Sequence, residues 1–278
     1  MTDDTLSSWI GKRETSHDRL SLELAKRIAT TLGDDIPTAD APLPHLWHWA
    51  FFQEPVSEAC LGRDGHPRQG MLLPPIDGKN RMWAGGRVHF HRPLRIGEPA
   101  RRQSTITAVD EKQGKSGELL FVTVQHRYYQ HDRLCIGEEQ SIVYREPKPA
   151  TQPGSRPVPR VEWKETIAPS PVLLFRYSAI TYNSHRIHYD QQYATEVEGY
   201  PGLVVHGPMI ATFMLRSFTR RFPQRRPIAF TYRGIRPLFA STPFHVGGHH
   251  SSATHCALHA YDADGPAHQA EIEYKENA

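Results

Sequence analysis

One segment of the chain, residues 175–208, concentrates side chains that could do acid–base chemistry next to a carbonyl group. It reads FRYSAITYNSHRIHYDQQYATEVEGYPGLVVHGP. A neutral imidazole can take a proton from water near pH 7, which makes His188 the candidate general base. Asn183 lies five residues earlier and can orient a water molecule, although its amide cannot titrate.

The same segment ends in a candidate oxyanion hole. Gly207 directly precedes Pro208, and proline is favoured at the start of a helix. The first N–H groups of a helix are unpaired and, with the helix dipole, stabilise an oxyanion. A base, a water-orienting amide and an oxyanion hole fit the addition of water to an α,β-unsaturated thioester. The residues alone also fit a histidine-rich loop that leads into a core helix, because the chain contains 17 histidines.

Two helices are predicted, one early in each half of the chain. SLELAKRIATTLG at 21–33 has leucine and isoleucine at one-turn spacing, with Ser16 or Ser21 as its cap and Gly33 as its end. PMIATFMLRSFTRRF at 208–222 is apolar around most of its circumference, which predicts burial on several sides.

Four strands are predicted late in each half, because β-branched and aromatic residues cluster and partly alternate there. The predicted strands are 87–92, 101–109, 118–130, 134–145, 228–236, 244–251, 253–262 and 268–275. Turn residues separate two neighbouring pairs, as KQGKSGE in the first half and ADG in the second. Each half therefore predicts a curved antiparallel sheet around an apolar helix.

An internal repeat divides the chain. Arg-Pro-Leu with a later proline occurs at 92–99 and again at 236–243, and each half ends in a similar strand, QSIVYRE or QAEIEYKE. The proline-rich stretch 147–160 can join neither a helix nor a central strand. We therefore predict two domains, 1–146 and 161–278, joined by this linker.

Composition excludes several classes of protein. No apolar run is long enough to span a membrane, and a net charge of +3 does not indicate a nucleic-acid surface. The three cysteines are far apart and the N-terminus is polar, so a reduced protein of the cytoplasm is expected. The late histidines lack the spacing of a helical metal motif, and we predict neither a metal site nor a cofactor.

The segment that carries His188 resembles the hydratase-2 motif of the MaoC-like, R-specific enoyl-CoA hydratases. The first half resembles one branch of that family, in WIGKRE at 9–14, DGHPRQGMLLPP at 64–75 and RMWAGGRVHFHRPLRIGE at 81–98. This is the branch of the 3-hydroxyacyl-thioester dehydratases type 2 (FAS1-like dehydratases) and of the mesaconyl-C4-CoA or itaconyl-CoA hydratases. The resemblance implies an α+β double hotdog, with the site in the second half and an acyl-CoA tunnel shaped by the first.

Four positions follow from this resemblance. His188 matches the catalytic histidine of the family, and Gly207 matches the glycine whose N–H polarises the thioester carbonyl. Asn183 stands where most members have an aspartate, and His185 where many have an asparagine. His188 then carries proton transfer alone, or Asp190 supplies the missing carboxylate. The alternative for Asp190 is a cap for the turn that follows it.

Weaker signals concern substrate binding. Arg221, within an arginine cluster after the second helix, could bind coenzyme A phosphates, or the cluster could be a solvated helix end. Arg186 could meet a second carboxylate of a C5-dicarboxylyl substrate, although a structural ion pair is the simpler interpretation. Trp83, followed closely by two glycines, is expected to begin the first sheet or to lie at the pocket mouth.

The leading hypothesis is an enoyl-CoA hydratase that converts itaconyl-CoA or mesaconyl-C4-CoA to citramalyl-CoA. One alternative is a 3-hydroxyacyl-thioester dehydratase of fatty-acid synthesis, acting on an acyl carrier or on CoA. A second is a non-catalytic acyl-thioester-binding subunit, in which Asn183 marks lost activity. The expected partners are the acyl-CoA substrate and a second copy of the chain, with no nucleic acid and no membrane.

Overall fold

The computed structural model describes residues 6–67, 72–74, 76, 78–114, 117–146 and 155–276. Ten strands form one antiparallel sheet. In the first half they are β1 Arg13–Arg19, β2 Asn80–Phe90, β3 Pro99–Gly114, β4 Gly117–Gln130 and β5 Arg133–Arg145. In the second half they are β6 Trp163–Ile167, β7 Arg225–Gly234, β8 Phe244–His250, β9 His255–Asp262 and β10 Gly265–Glu276.

The strand order is β1-β3-β4-β5-β2-β7-β10-β9-β8-β6. The second half thus repeats the connectivity of the first, and the two halves meet where β2 pairs with β7 over Gly85–His89 and Ala229–Arg233. The fold is the double hotdog of the α+β class that the resemblance implied. The two copies of Arg-Pro-Leu follow β2 and β7 in equivalent places.

Helix α3, Gly207–Arg221, is the central helix of the second half. It packs against β7, β8, β9 and β10. Its apolar side chains are buried around most of the helix, as predicted, because the curved sheet covers it on several sides.

Two shorter helices precede it in the chain. Helix α1, Leu22–Leu32, begins at Ser21, whose hydroxyl accepts a hydrogen bond from the Leu24 N–H at 3.2 Å, and ends at left-handed Gly33. Helix α2, Pro171–Ile180, was not predicted. It packs against α1, and an exposed face carrying Phe175 obscures its helical period.

The first half covers its sheet differently. The segment 45–52, with a 3-10 turn at Trp47–Ala50, lies on β2 and β4. The ring of His45 is 4.5 Å from that of Phe90, and the ring of Phe52 is 5.5 Å from that of Tyr128. This irregular segment leaves a cleft between the halves.

Two edge strands were not predicted from the sequence. β1 and β6 read RETSHDR and WKETI, and most of their side chains are partly or fully exposed. Such strands carry little apolar signal because they bury few side chains. Residues 147–154 of the predicted linker, and part of the KQGKSGE turn, lie outside the described residues. None of the helices in the described ranges has the length and hydropathy of a membrane span.

Candidate active site

Four of the sequence-predicted site residues, Asn183, Arg186, His188 and Asp190, lie on the loop that connects α2 to α3, and Gly207 and Arg221 are the two ends of α3. The loop contains a 3-10 turn, Arg186–His188, and a short π-helical turn, Tyr193–Val197. Near the start of the loop, Oδ1 of Asn183 accepts a hydrogen bond from the backbone N–H of His185 at 3.0 Å. The two amide N–H donors of Asn183 take no part in this bond, and Asn183 is one of the residues that line the cleft.

His188 is held in one orientation. Its side chain is buried, with 7 % of the residue exposed, and Nδ1 lies 2.7 Å from the carbonyl oxygen of Val204. Because a carbonyl only accepts, Nδ1 carries the proton and Nε2 keeps its lone pair. Burial lowers the pKa of His188 to about 4, against the opposing effect of the Val204 hydrogen bond. The imidazole is therefore neutral at pH 7 and able to act as a base.

The amino end of α3 lies directly beside this imidazole. The ring of His188 stacks on the ring of His206 at 3.6 Å with an angle of 18°. His206 is the N-cap of α3 and forms no side-chain capping bond; its Nε2 lies 2.8 Å from Ser178 Oγ instead. The predicted base and the predicted oxyanion hole are thus brought together.

Gly207 is the first residue of α3, and an aromatic side chain covers it. A Cβ atom at this position would lie 2.8 Å from Cε3 of Trp83, closer than carbon atoms approach. Glycine is therefore required by contact with β2, and the Gly207 N–H belongs to the first turn, where amides have no intrahelical acceptor. Trp83 forms the wall of the cleft above it.

Asp190 and Arg186 are paired with each other. Asp190 Oδ2 lies 2.7 Å from Arg186 Nη2, and Asp190 Oδ1 accepts the backbone N–H of Tyr193 at 3.0 Å. These bonds lower the pKa of Asp190. The guanidinium of Arg186 also stacks over the ring of Tyr193. The geometry matches the cap and the structural ion pair, and leaves neither group directed at a substrate.

Arg221 lies at the opposite end of α3 from Gly207. The helix has 15 residues and is therefore about 20 Å long. Other arginines of the cluster are engaged, since Arg216 pairs with Glu165 and Arg220 with Asp34. Binding of coenzyme A phosphates by Arg221 stays a prediction. It requires the coenzyme A part of the substrate to extend along the whole helix.

A loop of the first half docks on the loop that carries His188. The Ser184 hydroxyl donates to the carbonyl oxygen of Gly65 at 2.6 Å, and the Arg186 N–H donates to that of Asp64 at 2.8 Å. Gly65 has φ +88°, and a Cβ there would lie 2.0 Å from the Ser184 oxygen, so only glycine fits. This contact fixes the two halves against each other at the site.

The docked loop brings a carboxylate and an imidazole. Asp64 Oδ2 lies 2.9 Å from His66 Nδ1, and the ring of His66 lies 4.1 Å from that of His185. Burial alone would raise the pKa of Asp64, but the hydrogen bonds and charge of His66 bring it far below its usual value. Burial lowers the pKa of His66 and, more strongly, that of His185. The ring of His185 contacts His188 edge-on at 5.5 Å.

Asp64, His66 and His185 are also the set that could hold a metal ion. Their donor atoms lie within 4.8 Å of one another. Yet Nδ1 of His66 is already bonded to Asp64, and the rings of His66 and His185 overlap at 40° instead of pointing edges at a common centre. The arrangement suits a hydrogen-bonded pair better than a ligand shell.

A cleft of about 760 Å³ opens beside these groups. Both halves line it, the first with Trp83, Arg81 and His66 and the second with Asn183 and Pro208. Sequence analysis gave no site role to Asp64 or His66, although both belong to the stretch DGHPRQGMLLPP that carries the family resemblance. It also gave His206 no role, and only the stacking of the rings could reveal one.

Comparisons with known proteins show the family of the chain. The model of one family, hydroxyacyl-thioester dehydratase type 2, matches residues 46–240. The chain belongs to this family. Hydratases and dehydratases are hydro-lyases, and this chain is therefore an enzyme of the hydro-lyase class.

Individual relatives cover most of the chain. It is 48 % identical over 244 residues to a mesaconyl-C(4)-CoA hydratase of Chloroflexus aurantiacus, across 86 % of this chain and 87 % of the relative. It is 30 % identical over 265 residues to a mitochondrial hydroxyacyl-thioester dehydratase type 2 of Schizosaccharomyces pombe, across 82 % and 87 %. A solved structure described as a MaoC-like dehydratase has the same fold, with a TM-score of 0.72 at 13 % identity over 98 % of this chain and 100 % of that one.

Proposed function

We propose that the protein hydrates an enoyl-CoA thioester and that mesaconyl-C4-CoA or itaconyl-CoA is its substrate, giving citramalyl-CoA. The observation that carries the proposal is the stacking of His188 on His206, which brings a neutral base beside the amino end of α3, where no side chain forms a capping bond. The identity to the Chloroflexus aurantiacus hydratase supports the dicarboxylyl substrate.

The proposed reaction uses groups of this chain alone. Nε2 of His188 takes a proton from water, and the water oxygen bonds to C3 while Asn183 holds the water. In mesaconyl-C4-CoA the C2=C3 electron pair moves toward the thioester oxygen, where the Gly207 N–H stabilises the negative charge. The imidazolium of His188 then returns its proton to C2. One hydrogen and one hydroxyl are added, and His188 is neutral again. Itaconyl-CoA, whose double bond joins C3 to a methylene carbon, must first be isomerised: His188 removes a proton from C2 and returns it to that methylene carbon, which gives the same C2=C3 bond.

A panel of thioesters tests the proposal. Mesaconyl-C4-CoA, itaconyl-CoA, crotonyl-CoA and octenoyl-CoA are compared by the change in enoyl absorbance, with products identified by mass. We expect dicarboxylyl substrates to turn over fastest and a thiol dye to detect no free coenzyme A. Release of thiol would instead indicate a thioesterase.

The second candidate is a 3-hydroxyacyl-thioester dehydratase, which the family model and the Schizosaccharomyces pombe relative favour. It requires octenoyl-CoA to exceed mesaconyl-C4-CoA in kcat/KM. A non-catalytic subunit requires an inactive wild type that Asn183→Asp revives.

We further propose that the enzyme acts in the cytoplasm as a homodimer. All three cysteines are free, with Cys60 exposed and Cys135 and Cys256 buried, which fits a reducing compartment. Light scattering of the purified chain tests the dimer, and a monomer at micromolar concentration would contradict it.

A further inference from the structure

Two arginines of the first half line the cleft, and they differ in what they contact. The guanidinium of Arg102 lies 3.7 Å from a carboxylate oxygen of Glu14 and over the ring of Phe52. Arg81 forms no ion pair with any carboxylate of the residues that the structure describes. The contact of Arg81 is with a neutral group, since its side chain bonds the hydroxyl of Tyr144, its cross-strand neighbour on β5. No carboxylate of the described residues compensates its charge, which is therefore available to an anionic ligand in the cleft.

The position of Arg81 relates it to the oxyanion hole. Arg81 and Trp83 are alternate residues of β2 and project from the same face of the strand. Trp83 covers Gly207, and two residues of an extended strand span about 7 Å. A long side chain at 81 thus reaches a point close to, but distinct from, the site of the thioester oxygen.

Arg81 also lies on the side of the cleft where the histidines are. Burial is the main cause of the lowered pKa of His66 and of His185, and the positive charge of Arg81 lowers both further. Asn183 lines the same cleft. The cation is therefore near His185, whose ring contacts that of the proposed base, His188.

We propose that Arg81 binds the free carboxylate of a dicarboxylyl acyl group and thereby sets the substrate class; this rests on the hydratase function proposed above. In a mesaconyl-C4 thioester that carboxylate is bonded to C3, the carbon that receives the water oxygen. Its anchor must lie beside the water-activating groups, as Arg81 does. A guanidinium binds a carboxylate with two parallel hydrogen bonds, which a fatty enoyl chain cannot accept.

Arg81→Met, Arg81→Lys and Arg102→Met test the assignment. For each variant, kcat/KM is measured with mesaconyl-C4-CoA and with crotonyl-CoA, and folding is checked by the melting temperature. We expect Arg81→Met to lower the ratio of the two kcat/KM values about 100-fold. Arg81→Lys should lower it less, because an ammonium keeps the charge but loses the fork. Arg102→Met, the control at the second cleft arginine, should leave the ratio unchanged.

A binding measurement keeps the test independent of turnover. Succinyl-CoA and butyryl-CoA, saturated analogues with and without the carboxylate, are compared as inhibitors. Tighter inhibition of the wild type by succinyl-CoA, weakened in Arg81→Lys and lost in Arg81→Met, supports the anchor. An equal loss of kcat/KM on both substrates, or an unchanged preference for succinyl-CoA, overturns it. A wild type that hydrates neither thioester refutes the proposed function, whereas one that hydrates crotonyl-CoA alone refutes only the dicarboxylyl class.

Discussion

The two halves of the molecule share a strand order but place different groups in front of their central strands. In the second half, a loop and a 15-residue helix precede β7, and they bring His188 and Gly207 together. In the first half, the irregular segments 45–52 and 62–66 precede β2. The same topology thus serves two purposes, because a sheet fixes the ends of an insertion and leaves its contents free.

Two buried groups, one in each half, show opposite ways of handling charge. The first half buries the carboxylate of Glu138, which accepts hydrogen bonds from His48, Trp49, Tyr128 and Gln140. Burial alone would raise the pKa of Glu138, but these bonds and the His48 charge hold it at about 2. The second half instead keeps His188 neutral by burial. Glu138 stays charged because hydrogen-bond donors surround its carboxylate, whereas His188 stays neutral because burial disfavours its charged form.

The strongest test of this contrast is His188→Ala. We expect kcat to fall at least about 1,000-fold, because general-base assistance is lost while the rest of the site persists. Enoyl-CoA hydration and the circular dichroism spectrum are measured together. His131→Ala, an exposed histidine of the first half, is the control and should keep full activity. Retention of a tenth of wild-type turnover by His188→Ala would remove His188 from its role.

Gly207→Ala should have the next largest effect. The new methyl group would meet the ring of Trp83 at 2.8 Å and displace the first turn of α3. The hydrogen bond from the Gly207 N–H to the oxyanion would be lost, which raises the free energy of the transition state by about 3–4 kcal/mol. We expect kcat/KM to fall about 100-fold or more. The double variant Gly207→Ala/Trp83→Ala removes the clash and should regain thermal stability. If it stays as unstable as Gly207→Ala, the contact with Trp83 is not the reason for glycine.

Asp64→Asn tests whether the loop of the first half contributes to the rate of the reaction. Loss of the charge that orients His66 should lower kcat about 10- to 100-fold with little change in KM. It should also move the pH dependence of kcat, because His66 and His185 lose a neighbouring anion. A purely structural role would lower the melting temperature and leave that profile in place.

Glu138→Gln is the matched change within the same half. It leaves buried donors facing an amide, so the free energy of unfolding should fall by about 2–4 kcal/mol, as measured in urea. The kcat of the folded fraction should stay near that of the wild type. Similar kinetics for Glu138→Gln and Asp64→Asn would erase the distinction between the two carboxylates.

The last expected effect, which leaves kcat at neutral pH unchanged, is the pH dependence of stability. Burial lowers the pKa of His126, His188 and His268 to about 4 each. Unfolded histidines titrate near 6.5, so between about pH 6.5 and 4 the unfolded chain binds more protons. The free energy of unfolding should fall as the pH falls through this range, by up to about 1.4 kcal/mol per pH unit for each histidine. Urea midpoints at pH 7.5 and 5 measure the change, and His268→Gln should reduce the slope.

The sequence by itself predicted the elements whose signals are local. The eight long strands were visible from their composition, and α1 from its cap at Ser21 and its end at Gly33. The spacing of His188 and Gly207 indicated a base and an oxyanion hole on consecutive parts of one segment. These features depend on residues near one another in the chain, so alternation, capping and resemblance suffice to find them.

Only the tertiary structure decided how the halves meet. Ser184 and Gly65 are 119 positions apart, yet their hydrogen bond brings Asp64 and His66 to the loop that carries His188. The tertiary structure likewise left Arg81 facing the cleft. No local pattern predicts such contacts, because each depends on the docking of two loops across a sheet. The sequence therefore indicated the chemistry, and packing determined which charges reach the substrate.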